Sequence, residues 1–200
     1  MKKRNVALII LILILIYAVV GVYYNLTHQE KTPEVKEVDK VDKYNYVLKS
    51  NATELQKTQF NELKEILSGD IVDDDYAKII AKMFVTDLYT LTNKINKYDV
   101  GGIDYVFESG KNNYKLNVED TLYKYLEDNT DNKRNQELPL VTNVDVENIE
   151  SIKYKIGETS YDAKKVLVNI TYEKDLGYDT KVTIVLVKDN DYYYVVECTK

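Results

Sequence analysis

Near Leu140 the apolar residues change their period, and that change limits the folds open to this chain. Before it they recur every three or four residues. Leu55, Phe60, Leu63, Ile66 and Leu67 form one such set; Ala77, Ile80, Ala81, Phe84, Leu88, Leu91 and Ile95 form another, and each lies along one helical face. After it they alternate, as Ile152, Tyr154 and Ile156; as Val166, Val168, Ile170 and Tyr172; as Val182, Ile184 and Leu186; and as Tyr192, Tyr194, Val196 and Cys198. Helical segments followed by four successive strands predict an α+β domain, with helices packed on a curved antiparallel sheet. The short links at Asp175-Leu176-Gly177-Tyr178 and Asp189-Asn190-Asp191 favour antiparallel neighbours.

Local signals set the expected boundaries. The folded region starts where Tyr44, Tyr46 and Leu48 alternate with polar residues. A first helix is predicted from Glu54 to Ser68, capped by Asn51 or Thr53 and ended by Gly69. Asp73, Asp74 and Asp75 supply the cap of a second, Tyr76 to about Lys97, which Asp99-Val100-Gly101-Gly102 breaks in a structural turn. Ile103, Tyr105 and Phe107 alternate as a short strand would. Asn117 then caps a third helix, Val118 to about Glu127, and the polar stretch Asp128 to Glu137 reads as a loop.

Ahead of the domain, residues 1–5 form a basic stub, and the nineteen residues from Val6 to Tyr24 carry no charge. At a helical rise of ~1.5 Å per residue that run spans roughly 28 Å, close to the hydrocarbon thickness of a bilayer. It is expected to be a transmembrane helix over 6–24, with the basic stub in the cytoplasm and Tyr23 and Tyr24 at the outer interface. A cleaved secretory signal is the alternative, although its apolar core would be shorter than this run. Residues 25–43, rich in Lys and Glu, read as a charged stalk, and 44–200 as the extracytoplasmic domain. Lys2, Lys3 and Arg4 precede the run and every acid follows it. The 33 acidic residues therefore face 24 of the 27 basic ones, a net −9 that opposes nucleic-acid binding.

The segment YAKIIAKMFVTDLYTLTNKINKYDVGGIDYVF, Tyr76 to Phe107, is similar to part of the membrane-anchored proteins of Gram-positive bacteria. The order of anchor, helices and long-stranded meander resembles the nuclear-transport-factor-2-like fold, a cone of sheet wrapped on helices. The resemblance covers Tyr44 to Lys200 and rests on scaffold motifs, so it implies a fold and carries over no catalytic residue.

Enzymes of that fold commonly use an acid or base inside the cone, often an Asp-His pair, whereas the one histidine here is His28, in the stalk. A single histidine and a single cysteine also fall short of a zinc ligand set. Neither catalytic residues nor a metal or cofactor site is therefore expected. Cys198 reads as a small apolar residue sharing a strand face with Tyr194 and Val196. The chain has 19 tyrosines and no tryptophan, and Tyr192, Tyr194 and Tyr105 are the candidates for ligand or partner contact. Asp99, Gly101 and Gly102 are expected to be structural. The expected function is a membrane-tethered, non-catalytic domain that binds a protein or cell-envelope partner or acts in assembly. Alternatives are a small-molecule or glycan-binding module with a tyrosine-lined pocket and an enzyme using carboxylates and tyrosines.

Overall fold

The computed structural model of the chain describes residues 14, 16–21, 23, 35–41, 43–44 and 46–200. They fall into two units, Met1–Thr32 and Pro33–Lys200. In the first, residues 14, 16–21 and 23 are helical, and Ile14, Ile16, Tyr17, Val19, Val20 and Tyr23 expose their side chains. Among the described residues no helix is long and apolar enough to cross a membrane. The remainder of the expected span and residues 24–34, with His28, lie outside the described residues.

The second unit begins earlier than Tyr44. Glu37–Val41, expected as stalk, is strand β1 and pairs antiparallel with β2, Tyr46–Lys49. Alternating acids and lysines concealed this hairpin, because β1 is mostly exposed and its pairing is secured from β2. Tyr44 and Tyr46 bring it to the core. The Tyr46 and Tyr76 hydroxyls lie 2.7 Å apart, and Tyr44 sits edge-on to Tyr76 at 6.1 Å and to Tyr192 at 5.5 Å.

Helix α1, Glu54–Ser68, has the expected bounds. Thr53 accepts from the Gln56 N–H while the Gln56 side chain accepts from the Thr53 N–H, a reciprocal capping box. Helix α2, Asp73–Tyr89, begins without a side-chain cap, which corrects the role expected of its three acids. Asp73 instead binds Lys188 and the Tyr193 hydroxyl, Asp74 binds Lys164, and Asp75 binds Lys78. Two of the three acids thus dock the start of α2 onto the sheet. Burial works to raise the Asp73 carboxyl, but the bonds from Lys188 and Tyr193 outweigh it and leave it below the usual range.

Helix α2 also ends eight residues before the expected Lys97. Long-range partners intervene: the Leu91 N–H donates to the Pro139 carbonyl at 3.0 Å, and Arg134 donates to the carbonyls of Leu91, Thr92 and Lys94. The expected strand at Ile103 to Phe107 is a single 3-10 turn, Ile103–Tyr105, followed by one parallel bridge from Val106 to Val195. The third helix, α3, is Lys111–Asp120 rather than Val118 to Glu127. Asn117, expected to open a helix, lies near the end of this one, where its carbonyl accepts from the Thr121 hydroxyl at 2.6 Å.

Strands β3 (Val141–Ile156), β4 (Thr159–Tyr172), β5 (Lys181–Asp189) and β6 (Tyr192–Thr199) form an antiparallel meander in that order, so β3 and β6 are its edges. Helix α2 buries Ala77, Ile80, Ala81 and Phe84 in one core with Val166, Val168, Ile184 and Leu186, and the helices pack on a curved sheet. Each of these Val, Ile, Leu or Phe side chains contributes about 1.5–3 kcal/mol, against roughly 0–1 kcal/mol for a surface ion pair, so packing dominates the stability.

Along the hairpin the apolar residues move from one face of the sheet to the other. Ile149 opposite Val166 belongs to the helix-side core, whereas Ile152 opposite Ala163 and Tyr154 opposite Tyr161 belong to a second cluster with Val185, Val187 and Tyr194. A register slip between Val185 and Leu186 makes Val196 a bulge in β6. Cys198 therefore packs with the helix-side core, away from Val196 and Tyr194, contrary to the simple alternation.

Candidate functional site

A cleft of about 1130 Å³ runs along the outer edge of β6. One wall is α3, through Asn113, Tyr114, Asn117 and Val118, with Thr121 just past its end; the other is the tip of the β3–β4 hairpin, through Tyr154, Lys155, Ile156 and Gly157. Phe84, Leu88 and Tyr89 of α2 and Phe107 supply apolar depth, and β6 contributes Val195 to Cys198. This size, largely apolar with a few polar groups, suits a binding site.

The glycine turn holds the α3 wall. Gly102 has φ 78°, a left-handed conformation that glycine accepts without penalty, and its N–H donates to Asp87 at 2.7 Å. Tyr114 donates to the Gly101 carbonyl at 2.6 Å and its ring meets Phe84 at 5.9 Å. Tyr123 accepts from the Gly101 N–H at 3.3 Å and donates to the Leu88 carbonyl at 2.9 Å. Asp99 accepts from the Ile95 N–H at 3.1 Å. These bonds join the turn to Asp87 of α2 and to Tyr114 of α3, and so fix α3 relative to α2. The hairpin wall is tied down by Tyr154, which donates to Glu197 at 3.3 Å.

The three tyrosines singled out for contact lie elsewhere. Tyr105 is buried and stacks on Tyr46 at 6.0 Å. Tyr192 donates to the Lys43 carbonyl at 2.9 Å and stacks on Tyr194 at 6.0 Å. Tyr194 meets Phe107 edge-on at 5.7 Å. They fasten β1–β2 and the 3-10 turn to the domain, while the tyrosines lining the cleft are Tyr89, Tyr114 and Tyr154. The i, i+4 spacing of Asn113, Asn117 and Thr121, beside Tyr114 and Val118, is the signal in the sequence that marks this wall.

A second, smaller cavity lies between α1, β2 and the end of α2. Its volume is about 40 Å³, room for a few water molecules and no larger ligand. Asp87, Lys94, Gln56, Gln59 and Asn93 line it, and Lys94 pairs with Asp87 at 2.6 Å while Gln56 donates to Asp87 at 3.0 Å. Burial works to raise Asp87, but the charges of Lys94 and Lys49 and the bonds from Lys94 and Gly102 hold its carboxyl below the usual range. A carboxylate so held is a structural anion, poorly placed to donate a proton.

In the cleft, Asp179 is paired with Lys200 at 3.0 Å and Glu197 accepts from Tyr154. Among the described residues no cluster of three or more His, Cys, Asp or Glu is placed to hold a metal ion. Burial pushes the Cys198 thiol up to about 12. At pH 8 about a quarter of an ordinary thiol is thiolate, against roughly one part in ten thousand here; the greater nucleophilicity of a more basic thiolate offsets part of this, and Cys198 of the folded full-length chain is expected to alkylate on the order of fiftyfold more slowly than free cysteine. Mass-spectrometric timing of iodoacetamide labelling checks this; a rate within tenfold of free cysteine would mean the thiol is not enclosed.

The arrangement offers an apolar trough, amide groups at its rim and an accessible strand edge, which is equipment for binding. No protein-family model matches the chain, and no curated protein and no solved structure matches it.

Proposed function

We propose that the chain is a non-catalytic binding domain, held outside the membrane by a single N-terminal span over Val6 to Tyr24, that takes a protein or cell-envelope partner in the cleft between α3 and β6. The observation that carries the binding reading is the cleft itself, about 1130 Å³ and open along a strand edge. The uncharged run behind a basic stub supports the tether, and the net −9 of the residues beyond it disfavours a nucleic-acid partner. The ion-paired or hydrogen-bonded state of Asp179 and Glu197 supports binding over acid–base work. Helices followed by an antiparallel meander support the nuclear-transport-factor-2-like reading of the fold.

A small apolar molecule or glycan is the second reading, favoured by Tyr89, Tyr114 and Tyr154 in the cleft lining. The openness of the trough along β6 favours a chain over a small enclosed ligand.

Affinity capture of the full-length protein from its own membranes tests the proposal, with a variant carrying Asn113→Trp and Asn117→Trp for comparison. Both positions are exposed on α3, so the indoles fill the trough without entering the core. A specific partner is expected with the wild type and at least tenfold less of it with the variant. Equal recovery by a variant of unchanged thermal midpoint, or no specific partner at all, contradicts the reading.

A further inference from the structure

We infer that the cleft takes an extended apolar peptide, added as a strand to the outer edge of β6. The inference rests on the cleft being the binding site and specifies how that site is used. The sheet order leaves β6 paired with β5 on one side, and its other side faces the cleft. An edge strand presents backbone N–H and C=O groups that another chain can pair with.

One rung on this edge is already occupied by the protein's own chain. Val106 bridges Val195 in parallel, and the Phe107 N–H donates to the Val195 carbonyl at 2.9 Å. The chain then turns away through Glu108–Gly110 into α3. Among the described residues no strand pairs with this edge beyond Val195. The cleft follows the open stretch, where Val196, Glu197, Cys198 and Lys200 line it. An occupant thus continues a pairing that the fold has begun. From Val196 to Thr199, where β6 ends, the edge measures roughly 13 Å at ~3.3 Å per residue, which accommodates about four peptide residues.

The walls select the peptide's chemistry. Successive side chains of an added strand point to opposite sides of the sheet. On the helix side they meet Leu88, Tyr89 and Val118, and on the hairpin side Tyr154 and Ile156. Both sides are apolar, so the peptide is apolar at consecutive positions, unlike a strand with one wet face. Lys155 and Lys200 offset Asp179 and Glu197, and the cleft thus selects no particular charge. The exposed amides of Asn113 and Asn117, one helical turn apart on α3, offer donors and acceptors to the outer backbone edge of the bound strand.

The test uses the immobilised full-length chain and a displayed library of random decapeptides. Enrichment of sequences with three or more consecutive apolar residues is expected. A synthetic copy of the strongest binder should slow hydrogen exchange at Val196–Thr199 at least tenfold, and N-methylation of its alternate amides should weaken it at least tenfold in one of the two phases. No enrichment, enrichment of charged sequences, or a binder that tolerates both N-methylation phases and leaves Val196–Thr199 unprotected overturns strand addition. If a native partner is still lost on the Asn113→Trp and Asn117→Trp change while the edge amides stay unprotected, the cleft stands as the site and the strand mode falls. If neither partner nor peptide responds to those changes, both readings fall.

Discussion

Replacing Gly101 by alanine is expected to destabilise the domain by about 3 kcal/mol or more, because close-packed interiors absorb added volume only by moving backbone. An added Cβ would lie 2.0 Å from the Asp87 carbonyl oxygen and 2.6 Å from its carbon, both main-chain atoms of α2. Neither can rotate aside as a side chain can. Relief requires moving the turn off α2, and that strains the bond Gly101 accepts from Tyr114 and the one it donates to Tyr123. The α3 wall would shift with it, so the variant should lose cleft binding together with stability. Gly69→Ala is the control: the nearest atom to its added Cβ is 4.0 Å away, and a change within about 0.5 kcal/mol is expected. Urea unfolding of both variants checks the contrast, and similar midpoints for the two would contradict the close approach.

Lys94→Met should be comparably severe. The Lys94 ammonium is 3% exposed and 2.6 Å from Asp87, and removing it leaves an enclosed carboxylate with two neutral donors, Gln56 and Gly102. Breaking a buried pair from one side costs about 3–5 kcal/mol. Acidity gives the loss a signature. In the wild type the Asp87 carboxyl is held below its unfolded value, so its contribution is fully present above that value, ~3.9, and is lost as pH falls through the folded one. In Lys94→Met burial is left as the stronger influence and raises the folded value above the unfolded one. The penalty is then largest at neutral pH and shrinks toward pH 4, where protonation relieves the buried charge. Urea midpoints of both proteins at pH 7 and pH 4 measure this, and a gap that fails to narrow in acid would contradict the account of the pair.

Elements with local causes were legible in the sequence. Helix α1 has its capping box and apolar face within its own residues, and the four strands of the meander carry their own alternation. Where the cause is distant, the reading failed. Helix α2 stops at Tyr89 because of Arg134 and Pro139, more than forty residues away in sequence. Helix α3 carries just Tyr114 and Val118 toward the core as partly or fully buried apolar residues, too few to establish a period. Its register is set instead by Tyr114 and the glycine turn.

The cleft was hidden for a related reason. Alternation shows that a strand has two faces, but not which face meets the helices; the apolar residues of β3 switch faces between Ile149 and Ile152, and the bulge at Val196 shifts the assignment in β6. Tyr192 and Tyr194, chosen from their spacing on β6, consequently lie outside the lining of the cleft. Tyr154 and Tyr114, from distant segments, line the trough instead. The turn at Gly101 and Gly102 was legible because paired glycines mark a change of chain direction.

Site-directed photocrosslinking in intact cells tests whether partners enter between α3 and β6. A benzophenone side chain at Asn117 reports on the cleft, and one at Glu65, which lines a different groove against β3, reports on the rest of the surface. A discrete crosslinked product is expected from Asn117, diminished by the Asn113→Trp change, and none from Glu65. A product from Glu65 with none from Asn117 would contradict it.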